Sequence, residues 1–186
     1  MARKLARLLL VPLALLCVGV MRLLNRLGIV TIRIGVHYPP RIGHTVMHTE
    51  LYLCERDAGK HPAKTLDIWT VKDRWANSYY GHMIQRELLH DPTRFAGLVD
   101  ICNKLFDGWE KHAIAGPTQF DRDIYNLMEL FEPHLRMRYR EQLRGSRELE
   151  RLGIQHDAPI VCLMVRDAAF LPGLAYHSFR DADIDT

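Results

Sequence analysis

The stretch "IVTIRIGVHYPPRIGHTVMHTELYLCERD", Ile29 to Asp57, decides the fold. Ile29–Val36 is an almost unbroken run rich in β-branched side chains, the pattern of a buried strand. The "HYPP" that follows ends it, because proline has no N–H for a sheet ladder. "RIGHTVMHTELYLCERD" then reads as a tight turn at Gly43 opening a helix, with Val46, Leu51 and Leu53 as apolar positions. Strand, turn and helix in this order begin a βαβ unit.

Working outward, "TLDIWTV" (Thr65–Val71) reads as a second strand. "NSYYGHMIQRELLHD" is a helix with Asn77 or Ser78 as cap and Asp91-Pro92 as stop. "FAGLVDICNKLFDGWEKH" and "DRDIYNLMELF" read as further amphipathic helices. The charge-rich "HLRMRYREQLRGSRELERLGI" reads as a solvated helix ending at Gly153. "APIVCLMV", entered through Pro159, is a third strand. This alternation predicts an α/β fold: a mainly parallel, Rossmann-like sheet with helices on both faces, preceded by an N-terminal apolar helix. The expected division is residues 1–28 as that helix and residues 29–186 as one Rossmann-like domain.

Net charge is +3, yet Arg3, Lys4, Arg7, Arg22 and Arg26 all precede residue 27. Without them 20 basic groups face 22 acidic ones, so the body of the chain is about −2. A basic face for nucleic acid is absent from the pattern, and no nucleic-acid partner is expected. The four cysteines, Cys17, Cys54, Cys102 and Cys162, are scattered and form no CxxC, which reads as small buried hydrophobes in a reducing compartment.

Residues 8–21 are apolar without interruption and flanked by arginines. That is short of the ~20 residues a spanning helix wants. On a helical wheel the five basic residues fall within roughly 140° of arc. The pattern suits a helix lying in an anionic membrane surface through residues 3–26. "CVGVMRLL" makes a poor signal-peptidase site. The expected location is cytoplasmic, at the inner membrane.

In parallel sheets ligands bind beyond the carboxyl ends of the strands. Two positions gain weight there: Gly43-His44 after the first strand and Arg166-Asp167 after "IVCLMV". The helix opening at Gly43 offers free N–H groups to a phosphate or sugar hydroxyl, or it is an ordinary strand-to-helix turn. Arg166 either forks onto a diphosphate or fixes its loop through a carboxylate. His44 and His48, four apart, raise a metal reading without a third ligand, so no metal and no cofactor is expected. Elbow and kinase motifs are absent.

Together, "RIGHTVMHTELYLCERDAG", "LDIWTV" and "VCLMVRDAAFLPGLAYHSFRDADID" resemble a bacterial glycosyltransferase family distantly similar to fucosyltransferase-like enzymes of GT-B type. The likeness covers most of residues 29–185. It implies two facing Rossmann-like halves, a nucleotide-sugar donor and a glycan acceptor. By that resemblance Gly43 and His44 match the first loop, and Arg166 and Asp167 match the strand end, with the arginine near the donor diphosphate. Tyr176, His177, Arg180, Asp181 and Asp183 match the segment after it. Met164 stands where the family shows histidine. Family members also continue beyond the position of Thr186, so the resemblance implies a truncated or split form, little active alone and paired with a complementing C-terminal domain. The competing reading is a non-enzymatic, membrane-tethered α/β binding or assembly module.

Overall fold

A computed structural model describes residues 2–37, 39, 41–114, 122–155 and 158–161. The chain divides into two compact units, Met1–Met137 and Arg138–Thr186.

In the first unit, β1 (Thr31–His37) and β2 (Thr65–Val71) pair in parallel, Thr31 opposite Thr65 and His37 opposite Val71. The crossover between them is α2 (Ile42–Asp57). Side chains of a strand alternate between faces. Arg33, Gly35 and His37 therefore share one face with Asp67, Trp69 and Val71, while Ile32 and Ile34 share the other with Ile68.

The first face is covered by α2 and α3 (Ser78–Glu87), whose Leu51, Leu53 and Ile84 pack with Tyr52, Trp69, Leu88 and Ile114 into one core cluster. Gly35 makes room for it: a Cβ there would lie 2.6 Å from the Trp69 ring. Of the two caps the sequence offers, Asn77 and Ser78, it is Asn77 that caps α3, its side-chain oxygen accepting from the N–H groups of Tyr79 and Tyr80.

The second face is covered by α1 (Ala2–Arg26) and α4 (Phe95–Asn103). Ala14, Val18 and Met21, spaced four and three apart, meet Ile34, Ala96, Val99 and Cys102. Arg22 ties the two helices, donating to Asn103 Oδ1 at 3.0 Å and to the Asp107 carbonyl, with its guanidinium 5.4 Å from the Phe106 ring. The start of α4 is capped by Asp91, which accepts from Thr93 and from the Ala96 N–H.

Each edge of the sheet carries a one-residue parallel bridge. Ala113 lies beside Ile34, and the Ile114 N–H donates to the Ile34 carbonyl. On the far side the Trp69 N–H donates to Leu89, and the Asp91 N–H returns to Trp69. The architecture is thus mixed α/β, a two-stranded parallel sheet with helices on both faces and an apolar helix before it.

Three expectations change. The helix read from "FAGLVDICNKLFDGWEKH" is interrupted after Asn103 and resumes as a 3-10 turn at Trp109–His112, because Gly108 takes a left-handed φ of 73°. "DRDIYNLMELF" forms only the short 3-10 turn Leu127–Glu129, since Asn126 is left-handed and Asp123 accepts the N–H groups of Leu127 and Met128. Of the third strand, Ala158–Val161 are not in strand conformation, and the remainder lies outside the described residues.

In the second unit, α5 (Tyr139–Arg151) is exposed on all faces. Glu141 accepts from the Arg138 N–H at 2.6 Å, and Gly153, at φ 81°, stands just past its end.

Candidate functional site

The amino-terminal half of α2 builds the site. Gly43, Val46, Met47, Glu50 and Cys54 follow helical spacing and present one face to a pocket of ≈ 390 Å³. Tyr80 of α3 and Met128, Phe131, Pro133 and Leu135 complete the wall. Gly43 sits in the first turn of α2, after Arg41 at the N-cap. Its φ is not left-handed and nothing lies within 4 Å of where a Cβ would stand. The tight turn expected at Gly43 is therefore not found there, and the glycine opens space rather than bending the chain.

His44 is half-buried, its ring 5.4 Å from that of the buried His48. Among the described residues no third donor joins them into a metal-holding group. Arg166, Asp167, Tyr176, His177, Arg180, Asp181 and Asp183 lie outside the described residues.

The floor of the pocket holds residues that sequence reasoning missed. The Glu50 carboxylate accepts the backbone N–H of His134 at 2.7 Å and of Leu135 at 3.2 Å. His134 Nδ1 stands 2.8 Å from Glu50 Oε1, and its Nε2 stands 3.0 Å from Asp57 Oδ2. Cys54 Sγ is 3.9 Å from the same Nδ1. Burial works against a charged His134, but the hydrogen bonds to Glu50 and Asp57 outweigh it, and its pKa rises above the ordinary value. Asp57 moves the other way: its burial is outweighed by bonds from Arg56 and His134, which lower it. Burial first, then the charges of Glu50, Asp123 and Asp57, push the Cys54 thiol up. A raised thiol pKa lowers the thiolate fraction and so disfavours nucleophilic chemistry at Cys54. The sequence signal was the spacing of 50, 54 and 57 on one helix face; His134 is far along the chain and carries no local cue.

A second polar group lies under the other side of α2. Arg33 and Asp67 face each other in register and pair through two contacts of 2.7 and 2.5 Å. The Tyr52 hydroxyl donates to Asp67 Oδ2 at 2.5 Å. Burial, then the bond to Asp67, push that hydroxyl far above its usual pKa. His61 stacks on Tyr52 at 4.8 Å, and a smaller pocket of ≈ 250 Å³ opens beside them.

At the carboxyl end of β1, His37 stacks on Trp69 at 4.5 Å, with Trp75 and His90 around it. Burial first, then the nearby His90 and His48, push His37 down to about 3, so it is neutral near pH 7. The buried Nε2 atoms of His37 and His90 have no hydrogen-bond partner among the described residues. The carboxyl edge of the sheet is thus lined by neutral imidazole and indole.

No protein-family model matches the chain, and no characterised protein or solved structure is significantly similar to it.

Proposed function

We propose that this chain is a membrane-surface glycosyltransferase module that takes a sugar from a nucleotide-sugar donor to a glycan acceptor in cell-surface glycan or polysaccharide synthesis. The observation that supports it most is Gly43: it lies in the first turn of the helix after a parallel strand, with open space at its Cβ position and a pocket of ≈ 390 Å³ in front of it. Helix N-termini at that end of a parallel sheet receive anionic or hydroxylated ligands. The sequence resemblance through Gly43, His44, Arg166, Asp167, Tyr176, His177, Arg180 and Asp183 points the same way. In this reading transfer is a displacement at the anomeric carbon. The sugar–phosphate bond breaks, the acceptor oxygen forms the new bond as its proton leaves to solvent, and the resemblance gives Arg166 the role of stabilising the leaving diphosphate.

The test is calorimetric titration of uridine and guanosine diphosphates into the 186-residue chain and its variants Gly43→Trp and Arg166→Ala. Binding to the parent and a loss of at least tenfold in both variants support the reading. Absence of binding at millimolar nucleotide, or equal binding by all three proteins, overturns it.

The exposed face of α1 supports a second reading. Leu9–Arg26 is long and apolar enough to cross a membrane by length and composition. Its opposite face is a wall of the core. Leu9, Leu13, Leu16, Val20, Leu23 and Leu27 line the outer face in steps of four and three. We infer that α1 lies in the interface of the cytoplasmic membrane rather than across it. A tethered α/β binding module without transferase activity has the same anchor. It is the better account if vesicle binding persists while nucleotide binding is absent.

A further inference from the structure

We propose that Glu50, Cys54 and His134 form a zinc-type divalent cation site at the floor of the pocket, with Asp57 holding the histidine from behind. One ligand atom each from Glu50, Cys54 and His134 lies within 4.8 Å of the other two. A tetrahedral zinc ion, with bonds of about 2.0–2.1 Å to N and O and about 2.3 Å to S, needs its donors roughly 3.3–3.6 Å apart. The Nδ1–Oε1 separation of 2.8 Å therefore opens slightly, and the Nδ1–Sγ separation of 3.9 Å closes slightly.

Four further observations favour an ion here. The donor set mixes imidazole, thiolate and carboxylate, which suits zinc or cobalt and not magnesium or calcium. Asp57 Oδ2 stands 3.0 Å from the far ring nitrogen of His134, the arrangement that fixes a metal-binding histidine with Nε2–H outward and its Nδ1 lone pair toward the ion. Glu50 Oε2 keeps its bond from the Leu135 N–H, so the carboxylate is oriented from both sides. Glu50, Cys54 and Asp57 all ride on α2, which makes the half-site rigid.

On binding, the ion displaces the protons on Sγ and Nδ1 to solvent. Thiolate and Glu50 carboxylate then neutralise its two charges. Because Glu50 and Cys54 themselves line the pocket, ions enter from that side and the fourth position is taken by water. The site does not depend on the sugar-transfer reading. Without a metal the same contacts hold the His134 ring between the carboxylates of Glu50 and Asp57.

The experiment is titration of the full chain with Co²⁺ alone, then Zn²⁺, followed by absorption spectroscopy and thermal melting. One equivalent of Co²⁺ with a thiolate-to-cobalt charge-transfer band in the near ultraviolet, displaced by Zn²⁺, is expected. Cys54→Ser removes the band, and Asp57→Asn, at a partly exposed position, weakens the metal about 10–100-fold while leaving the fold intact. Cys102→Ser leaves the band in place. Absence of stoichiometric cobalt binding, or a band that survives Cys54→Ser, overturns the proposal. So does an Asp57→Asn protein that binds as tightly as its parent.

Discussion

Arg33 and Asp67 show what a single register position commits the fold to. Both side chains are almost wholly buried, and the pair is satisfied by two mutual contacts and the Tyr52 hydroxyl. Removing one partner strands the other charge. Asp67→Asn or Arg33→Met alone is expected to destabilise the protein by about 3–5 kcal/mol in urea unfolding, whereas Arg33→Met combined with Asp67→Leu recovers most of the loss. Recovery fails if the pair carries conformational specificity that packing cannot replace. His37 makes a different prediction, because its folded pKa, about 3, lies below the unfolded value near 6.5. A depressed histidine binds its proton more readily unfolded, so its contribution is complete above pH 6.5 and is lost as pH falls toward 3. Its share of the stability falls by up to about 1.4 kcal/mol per pH unit in that window. His37→Phe, which keeps the stack on Trp69, should flatten this part of the profile. His134 has the opposite sign: its raised folded pKa gives a contribution that is full below pH 6.5 and fades as pH rises through the folded value. Urea midpoints of chelator-treated protein and of His134→Gln, compared at pH 6 and pH 9, isolate that slope.

Elements with strong internal pattern were legible in the sequence. β2 matches its predicted span, β1 differs by one or two residues at each end, and Asn77, one of the two expected caps, caps α3. The misses share a cause. His90 and Ala113 join the sheet through single residues, and one residue carries no periodicity to read. Residues 123–131 alternate polar and apolar as a helix does, but the Asp123 carboxylate captures the N–H groups that would continue it. Two positions test the elements directly. Gly35→Ala drives a methyl into the Trp69 ring between paired strands and should cost about 1–3 kcal/mol by thermal melting. Asp91→Ala releases the Thr93 and Ala96 N–H groups at the start of α4 and should cost about 1–2 kcal/mol. A loss near zero there would mean that solvent replaces the cap.

For the whole molecule, the decisive element is α1, which is legible as an apolar helix but not as a wall of the core. Its inner face is recognisable only once α4 is known to lie against it, since Val18 and Leu16 look alike in sequence yet are 1% and 64% exposed. Of the residues named from the sequence, Gly43 lines the pocket, as the strand–helix order suggests, while His134 reaches Glu50 only through the fold. The two faces of α1 predict two distinct phenotypes. Leu16→Asp and Leu23→Asp together should leave the melting temperature unchanged within a degree or two and abolish sedimentation with anionic vesicles. Val18→Asp should unfold the domain, because it places a charge against Ile34 and Val99. Loss of vesicle binding only in the latter would assign the anchor to something other than the outer leucines.

That double use of α1 sets an order of events during biosynthesis. The helix leaves the ribosome first, and its partner α4 follows about 70 residues later, an interval of several seconds at ordinary elongation rates. Throughout that wait both sides of the helix are naked. A nascent chain in this condition needs a temporary host, and under the membrane-anchor reading proposed above a lipid surface is one that it would not have to leave.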